Sequence, residues 1–441
     1  MKVAIVGSGI AGLSAAHALG GHVDITLFEA GSWFGGHTHT VDVTLPGSEG
    51  LVTHGVDTGF LVFNERTYPR LIALFAALDV RTVKSDMSFS VQVPGAFGDR
   101  PLEWSGSSLN TVFAQRANLA RPRFLRMLSD LLRFNRLATR LAQDGAEAAM
   151  LQPLGEFLRE QGFSDEFRDW YLLPMIGCIW SCPTDQMLQF PVATLIRFCH
   201  NHGLLQVSDR PQWWTVAGGA RHYVERILER VGDKRLNTPV RRVTRDAAGI
   251  SVQTDGGTER FDQVVMATHP DQALAAISDA SAQERQLLGA IRYQSNRAVL
   301  HTDTSVLPKN RSAWAAWNYE RGAIGPAGEQ PQVCLHYWLN QLQPLPWSQP
   351  VLVSLNPSRE IARKQVMGEY DYEHPVFDLP AIQAQAGVTQ LQGQRRTWFC
   401  GAWMGYGFHE DGLKAGQDVA RSLLTNAAAG PLQTRRLEAV A

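Results

Sequence analysis

Three glycines, Gly7, Gly9 and Gly12, and one carboxylate, Glu29, are the residues whose types and spacing most directly imply chemistry. Gly7 permits a tight turn, Gly9 lets an anion approach bare backbone, and Gly12 lets a helix lie against a strand. Ile10 and Ala11 then sit where the first free N–H groups and the positive end of a helix dipole would meet a phosphate. Glu29, followed by Ala30, comes 17 residues after Gly12, where a carboxylate can accept hydrogen bonds from ribose hydroxyls. The ligand implied is a dinucleotide, held by its pyrophosphate and one ribose.

That chemistry needs a strand, a turn, a helix and a second strand, and the flanking residues supply them. Lys2–Val6 is a short apolar run of the kind found in a buried parallel strand. Leu13–Leu19 has helical spacing, and Val23–Phe28 reads as the next strand, stopping at the acid. The chain has 441 residues, enough for two or three domains around a large core. With 44% hydrophobic and 19% charged residues it is globular. A net charge of −1 gives no global field toward nucleic acid or an anionic surface, so any membrane attraction has to be local. No apolar run reaches the length of a membrane span, and the N-terminal run is too short for a secretory signal. The five cysteines, Cys178, Cys182, Cys199, Cys334 and Cys400, show no paired zinc spacing, so no metal is expected. They read as buried thiols of a cytoplasmic protein.

Further along, Gly35 and Gly36 form a second place for backbone to approach a phosphate, with His37, Thr38, His39 and Thr40 behind them. Residues 41–45 alternate like a strand, and Asp57-Thr58-Gly59-Phe60 opens a turn-rich segment. Residues 66–82 read as a helix and 88–93 as a strand. Residues 114–142 set seven arginines, Arg116, Arg121, Arg123, Arg126, Arg133, Arg136 and Arg140, against one acid, Asp130, among many leucines and phenylalanines. Such a basic amphipathic helix can lie on an anionic bilayer, at about 1 kcal/mol per basic residue; it can equally be a surface helix whose apolar side is core. Residues 170–206 are aromatic and apolar with few charges, which suits either the wall of a long apolar pocket or an ordinary helical core. Trp213–Gly219 leads into a helix at 222–231; 237–243, 250–254 and 261–268 read as strands, with Ala267 near the end of the last. Four more strands, at 298–302, 313–318, 333–338 and 351–355, suggest an antiparallel sheet. The last landmark is Trp398–Leu413, a strand reaching Gly401 and then Asp411-Gly412 opening a helix.

The GxGxxG turn, Glu29, the Gly35–Gly36 pair, Asp57-Thr58-Gly59 and the 399–413 segment, in this order, resemble the FAD-binding amine oxidase and phytoene desaturase superfamily. The resemblance touches residues 3–421. It implies an α/β fold in which a Rossmann-type FAD-binding domain is joined to a substrate domain of mixed sheet plus helices. The expected division is 1–85, 211–280 and 391–426 for FAD binding, 86–210 and 281–390 for substrate, and 427–441 as a tail. It also implies FAD contacts from His37, Thr38, Thr58, Gly59 and Phe60, from the backbone of Val240 at the adenine, and from Gly401, Glu410, Asp411, Gly412 and Leu413 at the flavin end. Amine oxidases of the superfamily carry a lysine on the strand after the substrate helices; here Asn296-Arg297-Ala298-Val299 stands in that place, and an arginine cannot act as a base. The superfamily places an aromatic residue facing the flavin just before the final turn, where Tyr406, Phe408 and His409 fall. His409 is the acid–base candidate, since histidine titrates near neutrality; a histidine bonded to backbone is the plainer reading.

Gly35–Thr40, Asp57–Pro69 and Phe399–Leu413 further resemble a bacterial subgroup that accompanies cyclopropane-fatty-acid-synthase-like genes and is similar to the flavin desaturase of furan fatty acid synthesis. This implies dehydrogenation of a fatty acyl chain of a membrane lipid; the basic stretch at 114–142 adds peripheral contact of a cytoplasmic protein with the inner face of the cell membrane, and the net charge of −1 gives no nucleic-acid partner. Two alternatives stand beside it: an amine oxidase releasing hydrogen peroxide, and a non-enzymatic lipid carrier resembling the Rab escort and dissociation-inhibitor proteins. The sequence is silent on the oligomeric state.

Overall fold

A computed structural model describes residues 1–146, 150–206, 210–322 and 333–428. The expected tail lies, from residue 429, outside the described residues. The chain divides into two compact units. Unit 1 comprises Met1–Gly36, Glu225–Leu288 and the residues from Gly387 onward; unit 2 comprises His37–Val224 and Gly289–Ala386.

Unit 1 is built on a five-stranded parallel sheet of β1 (Lys2–Val6), β2 (Asp24–Phe28), β10 (Asp233–Arg235), β14 (Gln263–Met266) and β20 (Thr397–Phe399). The spatial order is β10-β2-β1-β14-β20, so the order reverses beside β1. Val3, Ala4 and Ile5 are fully buried, as a central strand covered on both faces requires. The helices Ile10–Leu19 and His409–Ala428 pack on each other closely. A Cβ at Gly416 would lie 2.2 Å from the Ala11 carbonyl, and Ser14 Oγ donates to the Leu413 carbonyl at 2.7 Å. A separate antiparallel sheet holds β11 (Arg242–Asp246), β12 (Gly249–Thr254) and β13 (Gly257–Phe261). The buried Arg245 side chain of β11 donates twice to Glu284, at 2.5 and 2.9 Å, and twice to Asp279, to its carboxylate and its carbonyl, each at 3.0 Å.

Unit 2 has a hairpin, β3 (Thr40–Gly47) with β4 (Gly50–Asp57), and a small sheet of β5 (Phe63–Asn64), β9 (Trp213–Val216) and β6 (Thr82–Ser85). Its main sheet has seven strands in the order β19 (Val366–Pro375), β15 (Tyr293–His301), β18 (Leu352–Leu355), β17 (Cys334–Trp338), β16 (Trp317–Glu320), β7 (Phe89–Phe97) and β8 (Arg100–Ser105). It is mixed because β16 runs parallel to β7 while the other pairs are antiparallel. Residues 37–85, grouped with the FAD-binding part in the sequence, fall in unit 2, because β5 and β6 both pair with β9. The helix expected over 66–82 is shorter, Pro69–Ala77, with Pro69 at its first turn. The basic stretch is broken at Arg121: a 3₁₀ turn, Arg116–Ala120, precedes a helix over Pro122–Gln143. Among the described residues no helix is long and apolar enough to cross a membrane.

Candidate cofactor-binding and active site

The glycine turn of unit 1 has the expected construction. Gly7 takes φ +100°, and its N–H donates to the Phe28 carbonyl at 2.9 Å, closing β1 onto β2. Gly12 allows the close packing: a Cβ there would lie 1.9 Å from the Gly7 carbonyl oxygen and 3.2 Å from Ala267 Cβ. Gly9 is different, since a Cβ there would meet nothing within 4 Å. It precedes the Ile10–Leu19 helix, whose first turn has no side-chain cap. Gly36 arches over this opening, the position of its Cβ lying 3.1 Å from Gly9 Cα, and Gly35 N–H donates to the Ser8 carbonyl at 3.1 Å. The result is an open concavity of bare backbone at the carboxyl ends of a parallel sheet, beside the strand-order reversal, where such sheets bind ligands.

Glu29 stands at the end of β2 beside this turn. Its Oε2 accepts from Ser8 N at 3.0 Å and Ser8 Oγ at 2.5 Å, and its Oε1 accepts from Gly31 N at 2.8 Å. A carboxylate offers about four acceptor sites, so capacity for a ribose hydroxyl remains. Val240 lies in the loop after β10 and not in a strand. That loop is fastened beside the acid: Thr238 N–H donates to the Glu29 carbonyl at 2.8 Å and Asn237 N–H to the Gly31 carbonyl at 3.0 Å.

The C-terminal segment is held by Asp411. Its buried Oδ2 accepts from Tyr406 N and Phe408 N, each at 3.0 Å, and a Cβ at Gly405 would collide with its carboxyl. Burial pushes this carboxyl up to about 6. Asp411 therefore spends its side chain shaping the turn that carries Tyr406 and Phe408. Gly412 lies against Ile10, a Cβ there being 2.7 Å from Ile10 Cγ2, so the start of the last helix sits against the start of the first. His409 and Glu410 open the last helix, and Leu413 is buried in it. Gly401, in extended backbone, leaves room for the Trp403 indole.

In unit 2, the side chains of Thr38 and Thr58 are engaged by the protein itself. Thr38 Oγ1 shares a hydrogen bond with the Tyr223 hydroxyl, and Thr58 Oγ1 shares one of 2.6 Å with Tyr372. Gly59 is needed because a Cβ would lie 2.2 Å from the His37 carbonyl, which accepts from Phe60 N–H at 2.8 Å. The His37 ring packs 4.9 Å from Tyr372 and 5.3 Å from His374. The residue that organises this region, Asp57, is absent from the sequence-based site. Its fully buried carboxylate accepts from Thr40 Oγ1 at 2.5 Å, Ala220 N at 2.9 Å and Gln343 Nε2 at 2.6 Å. It thereby joins the hairpin to the start of the Arg221–Leu228 helix. Burial outweighs these donors and pushes its carboxyl up to about 6. Its place directly before Thr58 and Gly59 was the available signal.

Arg297 stands where the superfamily carries a lysine, and its side chain turns outward. It lies on the exposed side of β15, paired with Glu369 at 2.8 Å, both side chains about half exposed (54% and 50%). Strand alternation turns Asn296 inward instead, where its Nδ2 bonds His374 Nδ1 at 3.0 Å and its Oδ1 accepts from Asn356 at 2.7 Å. The same alternation sorts chemistry across the main sheet. Two rows of directly paired residues share one face: Leu300, Val353, Tyr337, Trp317 and Phe89, then Ala298, Leu355, Leu335, Tyr319 and Val91. None of these carries a charge. The helix Leu173–Trp180 packs on this side, a Cβ at Gly177 being 3.0 Å from the Val333 side chain. The opposite face holds Glu320, Cys334, His336, Ser354 and His301. His336 bonds Ser354 Oγ at 2.6 Å and Glu320 at 3.2 Å, and Arg359 reaches Glu320 at 3.0 Å. Some side chains of 170–206 pack on one another, the Trp180 ring lying 5.5 Å from Phe190 and 4.6 Å from Phe198, while Trp170 and Tyr171 pack on Phe97 and Trp104. The five cysteines are buried and none is in a disulfide.

Comparison with known proteins agrees with this construction. A family model described as flavin-containing amine oxidoreductase matches residues 10–336. The chain belongs to that family. A protein of Mycobacterium tuberculosis classed as a flavin-containing monoamine oxidase, AofH, is 26% identical over 290 residues, covering 62% of this chain. This chain spans 58% of that relative's length. Two solved structures share the fold. A CLA-producing fatty acid isomerase from P. acnes has a TM-score of 0.66 at 16% identity, over 95% of this chain and 98% of its own. A cyclohexylamine oxidase from Brevibacterium oxydans has a TM-score of 0.66 at 18% identity, over 97% and 99%. The family is one of FAD-dependent oxidoreductases, and FAD is the cofactor here. The open backbone at Gly9 and the spare acceptor capacity of Glu29 fit its pyrophosphate and ribose.

Proposed function

We propose that the protein is an FAD-dependent oxidoreductase that dehydrogenates a fatty acyl chain of a lipid. In this reading Gly9, Ile10, Ala11 and Gly36 offer backbone to the pyrophosphate, Glu29 and Ala30 meet the ribose, and the Val240 backbone meets the adenine. By resemblance His37, Thr38, Thr58, Gly59 and Phe60 are further candidates for cofactor contact, and of these the Thr38 and Thr58 hydroxyls are bonded to Tyr223 and Tyr372, which leaves their backbone. Gly7, Gly35, Ala267, Gly401, Glu410, Asp411, Gly412 and Leu413 keep the surrounding backbone in place. FAD, when bound, supplies a two-electron acceptor for a hydride.

The observation that carries the acyl reading is the uncharged face of the unit 2 sheet, ten paired side chains with no acid or base among them. Phe89, Trp317 and Tyr337 are the partly exposed members of this face, the others being buried, and an alkyl chain loses nothing by lying against them. An alkylammonium would look for a carboxylate, and the carboxylate of these strands, Glu320, lies on the other face, bonded to His336 and Arg359. Dehydrogenation removes a hydride and a proton and leaves a carbon–carbon double bond; His409 is the group assigned to hold the proton.

The test is anaerobic mixing of the yellow holoprotein, separately, with total bacterial phospholipid, methylated phospholipid and a panel of amines. Loss of flavin colour with lipid alone, with a two-hydrogen mass loss in the lipid, is the expected result. Bleaching with amines alone refutes it. One observation bears on that second reading: the same face carries Trp317 and Tyr337, packed edge to face with ring centres 5.1 Å apart, and an outer aromatic face attracts a cation. Peroxide release with amines in air would establish it.

A further inference from the structure

We propose that the outer face of the Pro122–Gln143 helix docks on an anionic lipid surface. The helix already meets its packing needs on one side, where Phe124, Met127, Phe134 and Ala138 are buried. The stripe Leu125, Ser129, Leu132, Arg136 and Arg140, spaced three and four apart, faces outward, and all five are exposed. Leu125 and Leu132 are 42% and 50% exposed, and Leu119 on the preceding turn is 55% exposed. Core packing explains the inner residues and leaves these leucines without a purpose.

Charge completes the surface. The single acid of the helix, Asp130, is buried and turned inward, accepting from Ser164 Oγ at 2.6 Å and Ser164 N at 3.0 Å. It also takes one bond from Arg133 at 2.9 Å. Arg123 is spent on Glu166 at 2.6 Å. Arg126, Arg136 and Arg140 form no salt bridge among the described residues and stand in solvent around the exposed leucines. Arginines flanking outward leucines along one helix match a bilayer surface, where guanidinium groups meet phosphates and leucines reach the acyl boundary. A nucleic-acid backbone would use the arginines and have no use for the leucines. The net charge of −1 makes this patch a local attraction and no property of the whole surface. The inference stands on this helix alone and does not depend on the substrate proposed above.

The test is sedimentation of the full-length holoprotein with vesicles of phosphatidylcholine alone and of equal parts phosphatidylcholine and phosphatidylglycerol. Wild type is expected to bind only the anionic vesicles, and less as salt rises. The triple variant Arg126→Gln, Arg136→Gln, Arg140→Gln is expected to weaken binding on the order of a hundredfold. The double variant Leu125→Ser, Leu132→Ser is expected to weaken it at high salt, where the apolar share dominates. Both change exposed positions, and unchanged flavin absorbance and circular dichroism confirm the fold. Equal binding to both vesicle types, or undiminished binding by the arginine variant, overturns the proposal. Tight binding to single-stranded DNA that the leucine variant leaves intact, without vesicle binding, also overturns it and makes the face a nucleic-acid surface.

Discussion

Two alanine substitutions three residues apart in the helix-start glycines, Gly9→Ala and Gly12→Ala, separate the ligand role of the turn from its structural role. At Gly12 the new Cβ would stand 1.9 Å from the Gly7 carbonyl oxygen, and real Cβ atoms keep at least 3.0 Å. The Ile10–Leu19 helix would have to withdraw by about 1.1 Å, with Ala267 and the Gly412 contact on Ile10 following it. Forced overpacking of this kind costs about 1–3 kcal/mol, and the apoprotein should show it as a lower unfolding midpoint in urea. At Gly9 the backbone already has φ −61° and ψ 176°, open to any residue, and the new methyl meets nothing within 4 Å. Apoprotein stability should therefore stay within about 0.5 kcal/mol of wild type. The methyl nevertheless projects into the space a pyrophosphate needs in order to reach the helix start.

The expected loss of affinity at Gly9 follows from what the phosphate would forgo. One hydrogen bond from backbone to a charged oxygen is worth about 1.5–3 kcal/mol, and the helix end adds about 0.3–1 kcal/mol. A net loss of about 2–3 kcal/mol corresponds to roughly 30- to 150-fold in Kd. The assay is titration of FAD into each apoprotein, read by quenching of free flavin fluorescence, beside urea unfolding of the same samples. If Gly9→Ala binds FAD as wild type does, the open backbone at the helix start is not where the pyrophosphate lies. If Gly12→Ala unfolds no more easily than wild type, the close packing of turn and helix does not carry the stability assigned to it.

Asp57, held near 6 by burial, keeps a proton in the folded state between about pH 4 and 6 that the unfolded chain gives up, so its share of stability grows as pH falls through that window. Asp57→Asn abolishes this titration, and relative to wild type the variant should gain up to about 3 kcal/mol between pH 4 and 7, followed by thermal unfolding across pH. Arg245→Met should cost about 3–5 kcal/mol, because it leaves Glu284 buried without its guanidinium partner; adding Glu284→Gln should restore part of that loss in denaturant unfolding. Asp411→Asn should retain the turn, since one oxygen accepts both the Tyr406 and Phe408 N–H groups, whereas Asp411→Ala should lower the unfolding temperature and weaken FAD binding. Calorimetry and flavin titration on the two variants check that contrast.

The parts of this protein legible in its sequence are those built from near neighbours. The turn at Gly7–Gly12 and the acid at Glu29 span fewer than thirty residues; Gly7 and Gly12 have steric reasons to be there, and Gly9 leaves its backbone open. The loop of Val240 beside Glu29 came from family resemblance alone, because a bond between residues 29 and 238 leaves no local mark. Asp57 stood in a quoted motif, yet its partners Ala220 and Gln343 are 163 and 286 positions away, so nothing local distinguished it as the anchor. The arginine stretch was legible as periodicity, and Pro122 set where the helix itself begins.

The main sheet of unit 2 marks the limit most sharply. Arg297 and Asn296 differ by one position, and that single step decides which faces the buried side of β15 and which pairs with Glu369 in solvent. The same parity, repeated over neighbouring strands, collects Trp317, Tyr319, Leu335 and Tyr337 on one face and Asn318, Glu320, Cys334 and His336 on the other. Each strand alone reads as a mixture of aromatic, polar and charged residues with no assignable side. Only the pairing of Trp317 with Tyr337 and of Asn318 with His336 turns two ambiguous strands into part of one uncharged wall and one hydrogen-bonded network. A register slip of one residue would put Glu320 and His336 on the wall and make it fit for an ammonium group. The acyl substrate proposed above, in preference to an amine, thus rests on strand register, which is why composition and motif could reach the flavin and stop short of the substrate.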